Sequence, residues 1–153
     1  MNTRYFRRAV QVLVMVAMAA VTAKVAAAPV AAVPTLVRLE LGPLEQPTVL
    51  TEALDRCTTL IKAGRLDDAQ SACDSAVHAA RAQRAESMSS VVAASPDAAL
   101  AAAYNNRAVL YYLNGQLTEA ALYSNRAVRA APSAAVASTA AFIDAAMRRV
   151  AAN

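Results

Sequence analysis

The chain has 153 residues, 58% of them apolar, with 15 basic and 11 acidic side chains, one histidine, two cysteines and three glycines. So few glycines exclude a phosphate cradle, and one histidine with no cysteine at ligand or haem-attachment spacing excludes a zinc or haem site. Arg4, Arg7 and Arg8 account for three of the basic residues, which leaves 12 against 11 in the rest of the chain. The pI of 9.4 therefore says little about nucleic acid, and no basic patch with interleaved aromatics supports such a partner.

Those three arginines precede an apolar run from Ala9 to Val21 and then small residues, the layout of a secretory signal peptide over residues 1–23. Cleavage is expected after Ala23 or after Ala27. The run falls short of the roughly 20 residues of a membrane span. An uncleaved anchor is the alternative. An exported, periplasmic protein with no stable membrane span after signal removal is the expectation, with secretion or anchoring as the other possibilities.

Residues 24–48 form an extended lead-in, because Pro29, Pro34, Pro43 and Pro47 interrupt any helix. Within it TLVRLEL alternates, with Val37, Leu39 and Leu41 on one side and Arg38 and Glu40 on the other. A lone strand on a helical body cannot complete its ladder. Two readings follow: an extended tail lying on the helices or disordered, or a strand lent to a partner's sheet edge.

The helical body occupies 49–153. Its first helix starts near Thr48 to Thr51, with a threonine cap and Glu52 in the first turn. Gly64 makes a turn, and a second helix begins around Asp67, whose charge, with that of Asp68, suits a helix start. That helix is open to extension through HAARAQRAESM. Ser95, Pro96 and Asp97 read as cap, first helical place and first-turn acid of a third helix. A second turn follows at Gly115. Ser133 caps a last helix, about 134–151, in which Val136, Ala140, Ile143, Met147 and Val150 form an apolar stripe widened by Phe142.

The segments from Leu54 and from Asn105 repeat one another. Shifted by 51 residues, Arg107, Gly115, Leu117, Ala120, Ala127, Val128, Ala130 and Ala131 fall on identical residues of the first copy. In the second copy Tyr104, Ala108, Tyr111, Gly115, Ala120, Ala127 and Pro132 stand where the tetratricopeptide repeat has its signature, and Asn106 to Ala108 is similar to its NRG. The chain thus resembles that family, whose unit is roughly 34 residues. The resemblance places one unit at about 50–83, where Cys57, Leu60, Gly64, Ala69 and Ala76 are in register, and one at about 101–134. The first copy lacks the early aromatic and has Arg81 in place of Pro132. The implied fold is all-α: two helix-turn-helix units and a capping helix that closes the last apolar face. The same last stripe would also suit a homodimer seam.

Cys57 lies seven residues before Gly64 and Cys73 nine after it, so both sit at similar heights on opposing helices, at inward places of the repeat. An exported chain meets oxidising conditions, which predicts a Cys57–Cys73 disulfide rather than two buried thiols. Leu54, Leu60, Ile61, Leu66, Tyr104, Leu110, Tyr111, Leu113, Leu117 and Leu122 are expected to carry much of the packing.

No constellation for catalysis is present, and His78 reads as a surface residue. What the family resemblance implies is a groove lined by the first helix of each unit, with Thr51, Leu54, Thr58, Ile61 and Lys62 from one copy and Ala102, Asn105, Val109, Tyr112 and Leu113 from the other. Thr58, Ile61, Lys62, Asn105, Val109 and Tyr112 are the candidate partner-binding residues, with no cofactor or metal. The expected role is an interaction module that holds a segment of another envelope protein. The alternative is a structural, self-associating envelope protein.

Overall fold

The computed structural model describes residues 34–39, 48–87 and 96–153. The expected leader and its expected cleavage points, Ser95, and the part of the lead-in that holds Glu40 and Leu41 lie outside these residues. The described body is all-α, with α1 Val49–Lys62, α2 Leu66–Ser87, α3 Pro96–Leu113, α4 Leu117–Ala130 and α5 Ala134–Ala151, and no strand among the described residues.

Local chemistry sets the helix limits. Thr48 caps α1 by accepting from the Thr51 amide, and the Thr51 hydroxyl in turn accepts from the Thr48 amide, a reciprocal capping box. Pro96 opens α3, where its missing N–H costs nothing. Ser133 caps α5 by accepting from the Val136 amide.

The two turns share the same closing bonds. Gly64 and Gly115 have φ of 70° and 75°, a left-handed conformation that only glycine adopts without strain. Around the first, the Gly64 amide donates to Ile61 and the Arg65 amide to Leu60. Around the second, Gly115 donates to Tyr112 and Gln116 to Tyr111, each bond 51 residues on. Both are Schellman closures, which satisfy the last carbonyls of α1 and α3 and send the chain back antiparallel.

Small residues let the hairpins close. Ala69, Ala76, Ala120 and Ala127 are fully buried. The sulfurs of Cys57 and Cys73 lie 2.08 Å apart, a bonded distance, with Cα atoms 4.8 Å apart, joining α1 to α2. Their counterparts in the second hairpin, Ala108 and Ser124, are buried too, so these are inward packing places in both copies.

The hairpins are joined by an aromatic and ionic seam between α2, α3 and α4. Arg107 lies over the Tyr123 ring at 4.6 Å and the Tyr111 ring at 5.5 Å, and its guanidinium is 2.7 Å from Asp74. That pair is an ion contact rather than an aligned hydrogen bond, since Asp74 Oδ1 finds no directed donor. Burial disfavours the Arg107 charge, but a hydrogen bond to the Tyr111 hydroxyl and the Asp74 carboxylate outweigh it and raise its pKa. Arg81 donates to the Tyr104 hydroxyl at 3.1 Å, and Arg84 pairs with Asp97 at 2.8 Å.

Two of the expected core leucines are not core: Leu113 is 44% and Leu122 49% exposed. Leu113 ends α3 at the turn, and α4 packs through Ala120, Ser124 and Ala127, which leaves Leu122 on its outer side. In α5 the stripe is buried at Val136 and Ile143, but Val150 is 64% exposed.

Candidate functional site

The chain's own residues 34–39 lie against part of the faces of α1 and α3 that would line a groove. This segment is extended and pairs with no strand. Its main-chain groups are met by side chains instead, which answers the difficulty of a lone strand on a helical body.

Asn106, on α3, accepts from the Val37 amide through Oδ1 at 2.8 Å and donates to the Val37 carbonyl through Nδ2 at 2.7 Å. A carboxamide presents the same donor and acceptor pair as a peptide unit, so Asn106 stands in for one residue of a neighbouring strand. Two residues earlier, the Thr139 hydroxyl of α5 accepts from the Thr35 amide at 3.2 Å and donates to the Thr35 carbonyl at 3.1 Å. Asn105 Nδ2 donates to that carbonyl as well, at 2.7 Å. Thr35 and Val37 are alternate residues, and in an extended chain their polar groups face one edge.

The clamp is braced from below. Asn106 Nδ2 also reaches the Thr58 hydroxyl at 3.3 Å, which donates to the Leu54 carbonyl one turn back at 2.8 Å. Thr58 neighbours Cys57, and both cysteines belong to the apolar cluster of Ile61, Ala69, Ala72, Val109 and Leu110, against which Leu36 packs. Val37 and Leu39 pack on the other large cluster, which includes Leu50, Leu54 and Tyr104. Arg38 reaches Asp55 on α1 at 3.1 Å. The alternation read in TLVRLEL holds over 37–39, with Val37 and Leu39 packed and Arg38 exposed, whereas Leu36, on the Arg38 side of the count, packs inward as well.

Of the candidate groove residues, Thr58, Ile61, Asn105 and Val109 are buried, Thr58 and Asn105 in the clamp network and Ile61 and Val109 in the cluster under Leu36. Lys62 is exposed at the end of α1 and makes no part of it. Tyr112 sets its ring edge-on to Phe142 of α5, 4.9 Å between centroids. The groove alignment does not single out Asn106 or Thr139. The signal for both is positional: two adjacent asparagines, poor helix formers, inside an alanine-rich helix, and a threonine within an apolar stripe.

Asn105 and Asn106 are both 0% exposed, yet Asn105 Oδ1 has no hydrogen-bond partner. One acceptor of the clamp is left unused by the segment that occupies it. An open depression of about 810 Å³ lies elsewhere, between the start of α1 and the outer side of α2, lined by Val49, Leu50, Ser75, His78, Ala82 and Glu86 among others. It holds none of the clamp residues. No helix among the described residues is long and apolar enough to cross a membrane, and no cluster of their His, Cys, Asp and Glu side chains could hold a metal ion.

Comparison with known protein families, with curated proteins and with solved structures finds no match for this chain.

Proposed function

We propose that this chain is an exported interaction module of the bacterial envelope, a short tetratricopeptide-like array that holds an extended segment of a partner protein across α1, α3 and α5. The observation that carries the reading is the two-bond grip of Asn106 on the Val37 main chain, with Thr139 and Asn105 gripping Thr35. Such bonds need no particular side chain, so the same atoms can grip any segment that presents an extended edge. The periplasmic location rests on the arginine-led apolar leader and is supported by the cysteine pair, since disulfides persist in oxidising compartments.

Self-association through the last helix has less support. Val136 and Ile143, two of the stripe's apolar residues, are buried within the same chain, and only the far end of the stripe is open.

Selection of peptides from a displayed random library against the disulfide-bonded chain tests the reading. Binders are expected that are lost when Asn105→Ala is combined with Asn106→Ala, with helicity unchanged by circular dichroism. A library that yields no binder dependent on these residues removes the groove from consideration.

A further inference from the structure

Residues 34–39 show what the groove accepts. All five bonds of the clamp go to the main chain of Thr35 and Val37, so they set register and extended form but not sequence. Sequence is read by the side chains between and beyond them. Leu36 packs against the cluster that contains Cys57, Cys73, Val109 and Leu110, Val37 and Leu39 pack on the cluster that contains Leu50 and Leu54, and Arg38 faces the Asp55 carboxylate. Two apolar clusters and an acid thus flank one backbone segment.

We propose that residues 34–39 are a tethered stand-in for the groove's partner, and that this partner is an extended peptide segment of matching chemistry: aliphatic at the places of Leu36, Val37 and Leu39, and basic at the place of Arg38. This rests on the groove reading above and adds to it the class of ligand and the competitor that guards the site. Three features make the resident displaceable. Its apolar side chains are only partly buried. Its ion pair is exposed on both sides, where such pairs contribute little. It also leaves Asn105 Oδ1 buried and unpaired, a cost carried by the docked state. Tethering helps the resident, since a linked segment competes at an effective concentration of the order of millimolar. An outside segment must exceed that advantage, so occupancy in trans depends on the resident being weak.

The probe is a fluorescein-labelled peptide of residues 34–40, titrated by anisotropy onto the full chain and onto the chain carrying Leu36→Ser with Val37→Pro. The proline removes the amide that Asn106 grips, and the serine removes the apolar anchor. The released chain is expected to bind the peptide at least about tenfold tighter than the unmodified chain, because it no longer competes with its own segment. Adding Asn106→Ala to the released chain should weaken binding about thirtyfold, the equivalent of two hydrogen bonds. A peptide with glutamate at the arginine place should bind several-fold more weakly, since attraction to Asp55 becomes repulsion.

Equal binding of the 34–40 peptide and a scrambled peptide of the same composition, on a released chain that retains its helicity and its disulfide, overturns the proposal. It leaves the groove itself standing if library binders that need Asn105 and Asn106 exist. Absence of both kinds of binder removes both readings. Should the double substitution unfold the chain, the unmodified protein serves instead: millimolar peptide must then speed exchange of the Val37 amide, and no change in that rate overturns the proposal equally.

Discussion

Replacing Asn106 with alanine separates docking of the 34–39 segment from folding of the helical body. The side chain makes two bonds to the Val37 main chain, at 2.8 and 2.7 Å, and one to Thr58. At about 1 kcal/mol net for each main-chain bond, the segment loses about 2 kcal/mol of docking free energy, which shifts its release equilibrium about thirtyfold. The body has less to lose. Thr58 keeps its bond to the Leu54 carbonyl, and alanine favours α3 by up to about 0.7 kcal/mol over asparagine. Released Thr35 and Val37 main-chain groups are rehydrated rather than stranded, so no buried orphan remains on the segment. Amide hydrogen exchange read residue by residue is the assay. The Val37 amide should exchange about thirtyfold faster, while buried α3 amides such as that of Leu110 hold their protection and the far-ultraviolet spectrum is unchanged. Unchanged exchange at Val37 would refute the clamp. Equal loss of protection at Val37 and Leu110 would show that the segment is inseparable from the body, and would refute a displaceable occupant.

Two further predictions concern the body. Cys57→Ala with Cys73→Ala removes a crosslink spanning a sequence separation of 16, a loop expected to contribute about 3 kcal/mol. In a domain of about 100 residues this lowers the thermal midpoint by roughly 10–20 °C, followed by circular dichroism, and a drop of only a degree or two would show that the crosslink carries little of the stability. Gly115→Ala meets no atom within 4 Å but must hold φ near 75°, so it should cost about 1 kcal/mol from backbone strain alone, read as a lower urea midpoint with an unchanged slope. A midpoint equal to that of the unmodified chain would show that the turn tolerates a side chain in the left-handed region.

The elements were legible because each is signalled within a few neighbouring residues. Glycines at equivalent places, threonine, serine and proline at helix starts, and a 51-residue self-similarity marked the helix limits and both turns. The Cys57–Cys73 pair was legible as well, since both positions are measured along helices from one glycine turn. The candidate site was legible only in part: Asn105, Thr58, Ile61 and Val109 fall beneath the segment, whereas Lys62 stays outside it and Tyr112 is taken up by Phe142.

Periodicity placed Val37 and Leu39 on one side of an extended segment but could not say what would satisfy its amides. That required residues 69 and 104 positions away, Asn106 and Thr139, to arrive on one edge, a matter of how α3 and α5 pack. The leucines tell the same lesson in reverse. Hydrophobicity made Leu113 and Leu122 candidates for the core, but Leu113 falls at the end of α3 beside the turn and α4 packs through Ala120, Ser124 and Ala127, which leaves both leucines exposed. The sequence by itself determined the helices, the turns and the partner of each cysteine, because short-range backbone chemistry and helix geometry decide them. Where residues 34–39 dock was decided by tertiary structure alone, because their hydrogen bonds join segments that only the assembled helices bring together.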